Sequence, residues 1–303
     1  MEIHQLRYFL AVVQTGSFTR GAERANVSQP SLSAQIAKLE DELGGVLFER
    51  GRQGARLTAR GRLLHTRAGE IIHQLERVQL EMEELEGLRR GGIHLGCLPA
   101  TGTYLLPPLL QSFTNTHPGL EVELTEASSP GLAGALRNFE VEMAITDEAG
   151  LGPGLEADTL FTEPVILALP LGHHLAGPGL AGPGVSLEEL KDDSFIMMKQ
   201  SHGFQKIIRE SLEGAGVQPR VVLESGEIET IQGLVAAGLG IGLVPRMIRR
   251  DTGLAYRSIS GPNSPSRTLF LLYRALDSLS PAARALRQTA LRVLRNWPSQ
   301  SRG

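Results

Sequence analysis

Two groups of side chains in residues 1–60 have types and spacings that can do chemistry together. Ser28-Gln29-Pro30-Ser31, Ser33, Gln35 and Lys38 offer hydroxyl, amide and ammonium groups over one short stretch, and Arg50, Arg52, Arg56 and Arg60 follow it. Amides and hydroxyls can hydrogen-bond to base edges in a major groove, whereas guanidinium groups meet phosphates. Ser28, Gln29, Pro30, Ser31, Ser33, Gln35 and Lys38 are therefore candidates for reading double-stranded DNA, with Arg50, Arg52 and Arg56 on its backbone. A solvated helix face has the same Ser/Gln composition, so the neighbouring elements must decide.

Leu6, Phe9, Leu10 and Val13 stand at i, i+3, i+4 and i+7, the stripe of an amphipathic helix that Gly16 ends. Ser17 is placed to cap a short second helix carrying Ala22 and Ala25, and Asn26-Val27 turns the chain. Ser28 caps a third helix, with Pro30 in its first turn and Gly44-Gly45 at its end. Leu32, Ile36, Leu39 and Leu43 form its buried stripe, which turns Gln29, Ser31, Ser33, Gln35 and Lys38 outward. Val46 to Arg50, the Gly/Arg-rich segment Gly51 to Arg56, and Leu57-Thr58 then read as a hairpin. Two short helices, a tight turn and a hairpin with arginines at its tip make a winged helix-turn-helix.

The run Ala22 to Ile36, with Leu39-Glu40, Leu43-Gly44, Leu47-Phe48-Glu49-Arg50 and Leu57-Thr58-Ala59-Arg60-Gly61, resembles the DNA-binding signature of LysR-type transcription regulators. Gly21 and Ala25 depart from the Ala and Leu more usual there, away from the DNA-facing positions. The resemblance implies a bacterial regulator that binds operator or promoter DNA and responds to a small-molecule effector. It also implies a homodimer that assembles to a homotetramer, with RNA polymerase as a partner.

Composition agrees with a folded protein of more than one domain: 303 residues, 41% hydrophobic, 21% charged. Net charge is −3, so a DNA-binding surface must be local, and residues 1–60 hold eight Arg/Lys against six Asp/Glu. A single cysteine, Cys97, excludes an intrachain disulfide and fits a reducing compartment. The opening MEIHQLRYFL is no secretory signal, and no apolar run is long enough to span a membrane, so the expectation is a cytoplasmic protein.

After Thr58, Leu64, Ala68, Ile71, Leu75, Val78, Met82 and Leu85 are spaced 4, 3, 4, 3, 4, 3, an a/d heptad seam. Its flanks run from Arg62 and Arg67 to Glu81, Glu83, Glu84 and Glu86, which favours antiparallel self-pairing. Arg89-Arg90-Gly91-Gly92 closes the helix.

From Ile93 short apolar runs alternate with helical ones, which predicts a mainly parallel sheet covered by helices. Strands are expected at Ile93–Leu98, Leu120–Thr125, Met143–Thr146 and Val165–Leu169, and again at Phe195–Met198, Val221–Glu224, Ile241–Val244 and Arg267–Arg274. Helices fall at Tyr104–Phe113, Leu132–Phe139, Phe204–Ala215, Ile228–Ala237 and from Pro281 to about Arg295. Two lobes with crossovers near Glu163-Pro164 and Ser266-Arg267 resemble the periplasmic-binding-protein fold of LysR-type effector domains. The whole is multidomain: an all-α-rich winged helix-turn-helix (1–60), a linker helix (61–90) and an α/β effector domain (91–303). That last domain comprises one subdomain of 91–163 with 267–303 and another of 164–266.

In such a fold, ligands meet the C-terminal ends of strands and the N-termini of the following helices. Those places are Pro99 to Thr103, Ser128-Ser129, Ser201 to Gly203 and Ser225 to Thr230. The family resemblance points to Thr101, Ser128 and His202 as effector contacts, then Thr103, Ser129 and Gly203, for a small carboxylate or similar anion.

Ile93 to Pro99, Tyr104 to Pro107 and Leu234 to Gly238 are similar to the peroxide-sensing OxyR branch of the family. That branch's two reactive cysteines align with Gly203 and Leu212, so its chemistry does not carry over. Cys97 lies in an apolar strand, where free cysteines are small hydrophobes; a redox role for it is the alternative. Gly238 to Gly242 follows a helix and leads into a strand, the reverse of a dinucleotide fingerprint, and His173-His174 has no ligand-spaced partner. No catalytic constellation, metal spacing or cofactor motif occurs, and the helix-turn-helix argues against a solute-binding protein.

Overall fold

The computed structural model describes residues 1–51, 54–84, 91–176, 184–199, 203–249, 253–295 and 297. They fall into two compact units, an N-terminal one to Gly87 with which Arg137–Phe139 are grouped, and a C-terminal one of Leu88–Leu136 and Glu140–Gly303.

In the N-terminal unit α1 (Ile3–Thr15), α2 (Phe18–Arg24) and α3 (Gln29–Glu42) are followed by β1 (Phe48–Gly51) and β2 (Gly54–Leu57). Gly16 ends α1 in the left-handed conformation that glycine adopts without strain, and the Ser17 hydroxyl accepts the Arg20 N–H to start α2. Ser28 caps α3 in the same way through Ser31 N–H, with Pro30 in the first turn. Leu6, Phe9, Val12, Ala22, Leu32, Ile36, Leu39, Leu47 and Phe48 bury together, so the 3.6-residue periodicities converge on one small core. β1 and β2 pair antiparallel, Phe48 opposite Leu57 and Gly51 opposite Gly54. Ala55 N–H donates to Gly16 O at 3.0 Å, which ties the hairpin to the α1–α2 turn.

Then comes α4 (Ala59–Glu84), started by Thr58, whose hydroxyl accepts the Gly61 N–H. The expected heptad seam divides in two along this helix. Leu64 and Ala68 pack into the core of their own unit with Ile72, whereas Ile71, Val78 and Met82 remain 41%, 54% and 65% exposed. Leu85 and Arg89-Arg90 lie outside the described residues. The seam is thus a continuation of the domain core for its first turns, because a helix leaving a small core must first cover it.

The C-terminal unit begins with β3 (Gly91–Cys97), α5 (Pro99–Tyr104), α6 (Leu106–Thr116), β4 (Leu120–Glu126), α7 (Ser129–Arg137) and β5 (Met143–Thr146). The long β6 (Glu156–Pro170) leads to β7 (Val185–Ser186), β8 (Ser194–Met198), α8 (Gly203–Gly214), β9 (Arg220–Ser225), α9 (Ile228–Ala236) and β10 (Gly242–Pro245). β11 (Leu254–Ser260), β12 (Ser266–Tyr273) and α10 (Pro281–Leu294) complete it.

The sheets are mixed, which corrects the expectation of a mainly parallel one. β3 pairs parallel with β4 and β5, but β12 runs antiparallel to both β5 and β6, and β10 and β11 run antiparallel to β6. The physical cause is the pair of chain crossings. β6 serves one lobe with its first half and the other with its second, and β12 returns beside it with Ser266 opposite Pro164 and Arg267 opposite Glu163. The second lobe repeats the pattern: β8 pairs parallel with β9 and, through Phe195 and Ile241, meets the start of β10. Each lobe has its own core, one around Ile93, Phe113, Ile145 and Leu286, the other around Leu167, Phe195, Ile208 and Val235. The helix expected at Tyr104–Phe113 runs from Leu106 to Thr116 with Pro107 in its first turn, and a short helix that was not expected, Pro99–Tyr104, precedes it. β7 and β11 carry little alternation and were not expected.

Candidate functional sites

On α3 Ser28, Gln29, Pro30, Ser31 and Lys38 are exposed, and Ser33 and Gln35 are half-buried. Gln29 Nε2 donates to Ser33 Oγ at 2.9 Å, a surface bond that joins two candidate base-reading groups. Gln35 is engaged inward. Its Oε1 accepts from Gln5 Nε2 and meets His4 Nε2, both at 3.2 Å, which fastens α3 to α1. Arg56 is exposed on β2; Arg52 and the side chain of Arg50 lie outside the described residues. Arg60 is exposed, and its Nη1 donates to Leu43 O at 3.0 Å and Gly44 O at 2.8 Å and so closes the C-terminus of α3. Glu40, missed by sequence reasoning, accepts the Leu47 N–H at 2.6 Å and fixes where the hairpin departs from α3.

In the C-terminal unit a cavity of about 190 Å³ opens where the strand ends of the two lobes face each other. It is lined from the first lobe by Leu98 to Ala100, Glu126 to Ser129 and Asp147, and from the second by Met198, Gly203, Phe204 and Gly226 to Ile228, with Arg267 at the crossing. The parallel strands β4, β8 and β9 deliver their following helices here, so the starts of α7, α8 and α9 border it, and the first N–H groups of a helix have no partner within that helix.

Of the six predicted effector contacts, Ser128, Ser129 and Gly203 line the cavity. Thr101 is fully buried, its hydroxyl without a hydrogen-bond partner among the described residues, but is not a lining residue. Thr103 is exposed and its hydroxyl returns to Pro99 O at 3.3 Å; His202 lies outside the described residues. Ser129 Oγ donates to Asp147 Oδ1 at 2.6 Å, and the same oxygen accepts Ala149 N–H at 3.1 Å.

Sequence reasoning missed Asp147, Glu126, Phe204 and Arg267, and reached Glu227 only as part of the stretch Ser225 to Thr230. Asp147 ends the apolar strand Met143–Thr146 as Ser128 follows β4, so the strand-end rule applied there too. Arg267 was visible only as a crossover position. It is 2% exposed, its Nε donates to Glu163 Oε1 at 2.8 Å, and its guanidinium lies 5.5 Å from the centre of the Phe204 ring. Glu163 Oε2 in turn accepts the Met247 N–H at 2.7 Å.

Cys97 is fully buried, and burial, then the nearby Glu126 carboxylate, pushes its thiol up to about 12. A thiol so held is not a nucleophile near neutrality. Nor does the fold leave room for one at Gly203, where an added Cβ would stand 2.2 Å from Ala149 Cβ. Among the described residues no group of His, Cys, Asp and Glu could hold a metal ion, and no helix is long and apolar enough to cross a membrane.

Residues 3–62 match the family described as bacterial regulatory helix-turn-helix protein, lysR family, and residues 86–295 match the LysR substrate binding domain. The chain is 32% identical to the uncharacterized HTH-type transcriptional regulator YcgK of Bacillus subtilis, over 97% of this chain and 95% of that protein. It is 32% identical to the DNA-binding transcriptional dual regulator OxyR of Escherichia coli, over 90% of each. A full-length OxyR variant from Pseudomonas aeruginosa superposes with a TM-score of 0.75 at 29% identity, covering 97% of this chain and 98% of that one. This chain belongs to the LysR family of transcriptional regulators, with an N-terminal helix-turn-helix and a C-terminal substrate-binding domain.

Proposed function

We propose that residues 1–60 read operator DNA with the first turns of α3, through Ser28, Gln29, Pro30, Ser31 and Ser33, while Lys38, Arg50, Arg52 and Arg56 hold the phosphates. Gln35 acts by holding α3 on α1. Residues 61–90 pair two chains through the exposed apolar side chains of α4, and a small effector in the cavity of residues 91–303 alters the geometry of the dimer or homotetramer on promoter DNA and its engagement of RNA polymerase. The protein works in the cytoplasm and catalyses no reaction. The observation that carries this reading is the exposed, small and polar opening of α3 beside an arginine-bearing hairpin.

Gel-shift titrations at two salt concentrations test it. Gln29→Ala and Ser33→Ala are expected to lose about 1–3 kcal/mol of discrimination between operator and unrelated DNA. Arg56→Ala is expected to weaken binding evenly across sequences and to flatten the salt dependence by about one phosphate contact. Unchanged specificity in the Gln29 and Ser33 variants would remove α3 from the reading role.

A further inference from the structure

The charge around the cavity does not match a simple carboxylate. Three carboxylates line it, Glu126, Asp147 and Glu227, against one cation, Arg267. Asp147 is buried and already accepts from Ser129 and Ala149, but Glu126 and Glu227 are exposed. Glu126 ends β4 and reaches over α5, since a Cβ on Gly102 would stand 2.6 Å from its Oε1. Glu227 occupies the N-cap of α9 without making a side-chain cap there.

Arg267 presents the opposite chemistry. Its Nη2 stands 2.8 Å from Glu163 Oε1, the oxygen that Nε already engages, and has no aligned hydrogen bond although it is buried. A buried donor held at ion-pair distance but without an aligned hydrogen bond is only partly satisfied, so an oxygen-bearing group in the cavity can improve on its present state. The opening N–H groups of α7, α8 and α9 favour negative charge in the same space.

From this division we infer that the effector is a small zwitterion of the α-amino-acid type, its carboxylate toward Arg267 and its ammonium toward Glu126 and Glu227. The volume of about 190 Å³ lies below the roughly 300 Å³ at which drug-sized pockets begin, which suits a ligand of that size. The inference rests on the cavity being the effector site.

Calorimetric titration of the full chain with each proteinogenic L-amino acid tests it, followed for the tightest by its des-amino carboxylate and its decarboxylated amine. The amino acid is expected to bind, with loss of either charge weakening it at least about tenfold, or 1.4 kcal/mol. Glu126→Gln and Glu227→Gln should weaken the amino acid by a similar factor and leave the des-amino carboxylate within about twofold. Failure of every amino acid to bind at millimolar concentration overturns the inference, as does a des-amino carboxylate that binds equally well or a pair of Gln variants with unchanged affinity. Ser128→Trp, which fills the cavity, separates the two readings. If a compound without an ammonium group alters DNA affinity and loses its binding in Ser128→Trp, the zwitterion is wrong and effector control through the cavity stands. If the amino acid still binds Ser128→Trp, it sits elsewhere and the inference fails.

Discussion

The two units place their polar groups in opposite ways. On α3 the candidate DNA contacts lie at the surface, and the bond among them, Gln29 to Ser33, is one that a base edge or a water can replace. Around the C-terminal cavity one set of polar groups is buried and interlocked, Ser129 on Asp147 and Arg267 on Glu163, with Glu163 also on the Met247 amide. The difference follows from the solvent each must work in. A DNA reader gathers many solvated contacts and draws affinity from phosphates, whereas a small-molecule site relies on few contacts in a low dielectric, where each unpaired group is unfavourable.

The sharpest way to break this contrast is to remove one partner of the buried pair. Glu163→Gln leaves the Arg267 charge uncompensated and should destabilise the C-terminal unit by about 3–5 kcal/mol in denaturant unfolding. Glu163→Leu combined with Arg267→Met should recover most of that loss, whereas Gln29→Ala at the exposed site should stay within about 0.5 kcal/mol.

The buried thiol supplies a pH test on the same side of the comparison. Its pKa is raised from 9.0 to about 12 in the folded chain, so below pH 9 both states keep the proton and stability is full. As pH rises from 9 toward about 12 the unfolded chain loses the proton and the folded chain does not, so stability falls by about 1.4 kcal/mol per pH unit. Unfolding midpoints at about pH 8 and about pH 10 should show this fall in the wild type and a smaller one in Cys97→Ala.

A third test concerns the only large apolar side chains of α4 past Ile72 that are described as exposed, Val78 and Met82. Val78→Glu with Met82→Glu should shift the chain toward monomer by about 1.5–3 kcal/mol of association free energy per buried apolar residue, read by sedimentation, with the fold of the N-terminal unit unchanged. An unaltered sedimentation profile would mean that the chain pairs elsewhere.

The smallest effect belongs to the surface of the N-terminal unit. Ser28→Ala removes the α3 cap and should lower the stability of that unit by about 1 kcal/mol in thermal unfolding, well below the Glu163 effect.

Much of the N-terminal unit was legible because its determinants are local. The caps Ser17 and Ser28, the glycine stop after α1, the stripe Leu32-Ile36-Leu39 and the hairpin each act within one or two turns of the chain. The strand-end rule also reached Ser128, Ser129 and Gly203, because a parallel strand followed by a helix presents its junction whatever the partners are. It failed at Thr103, which is one helical position too far round and faces solvent.

By itself, then, the sequence determined the helix-turn-helix, the hairpin, most of the strands and helices in each lobe and the family to which they belong, since periodicity, capping and turn chemistry are written in neighbouring residues. Only the tertiary structure decided which polar groups share a space. Arg267 and Glu163 are 104 positions apart and Ser129 and Asp147 are 18 apart, and no local pattern couples such residues. They meet because β6 and β12 cross between the lobes side by side, and that crossing turns a mainly parallel expectation into a mixed sheet and puts a buried cation against the cavity. The same logic divided α4, whose uniform heptad pattern could not tell which apolar residues its own core would cover first.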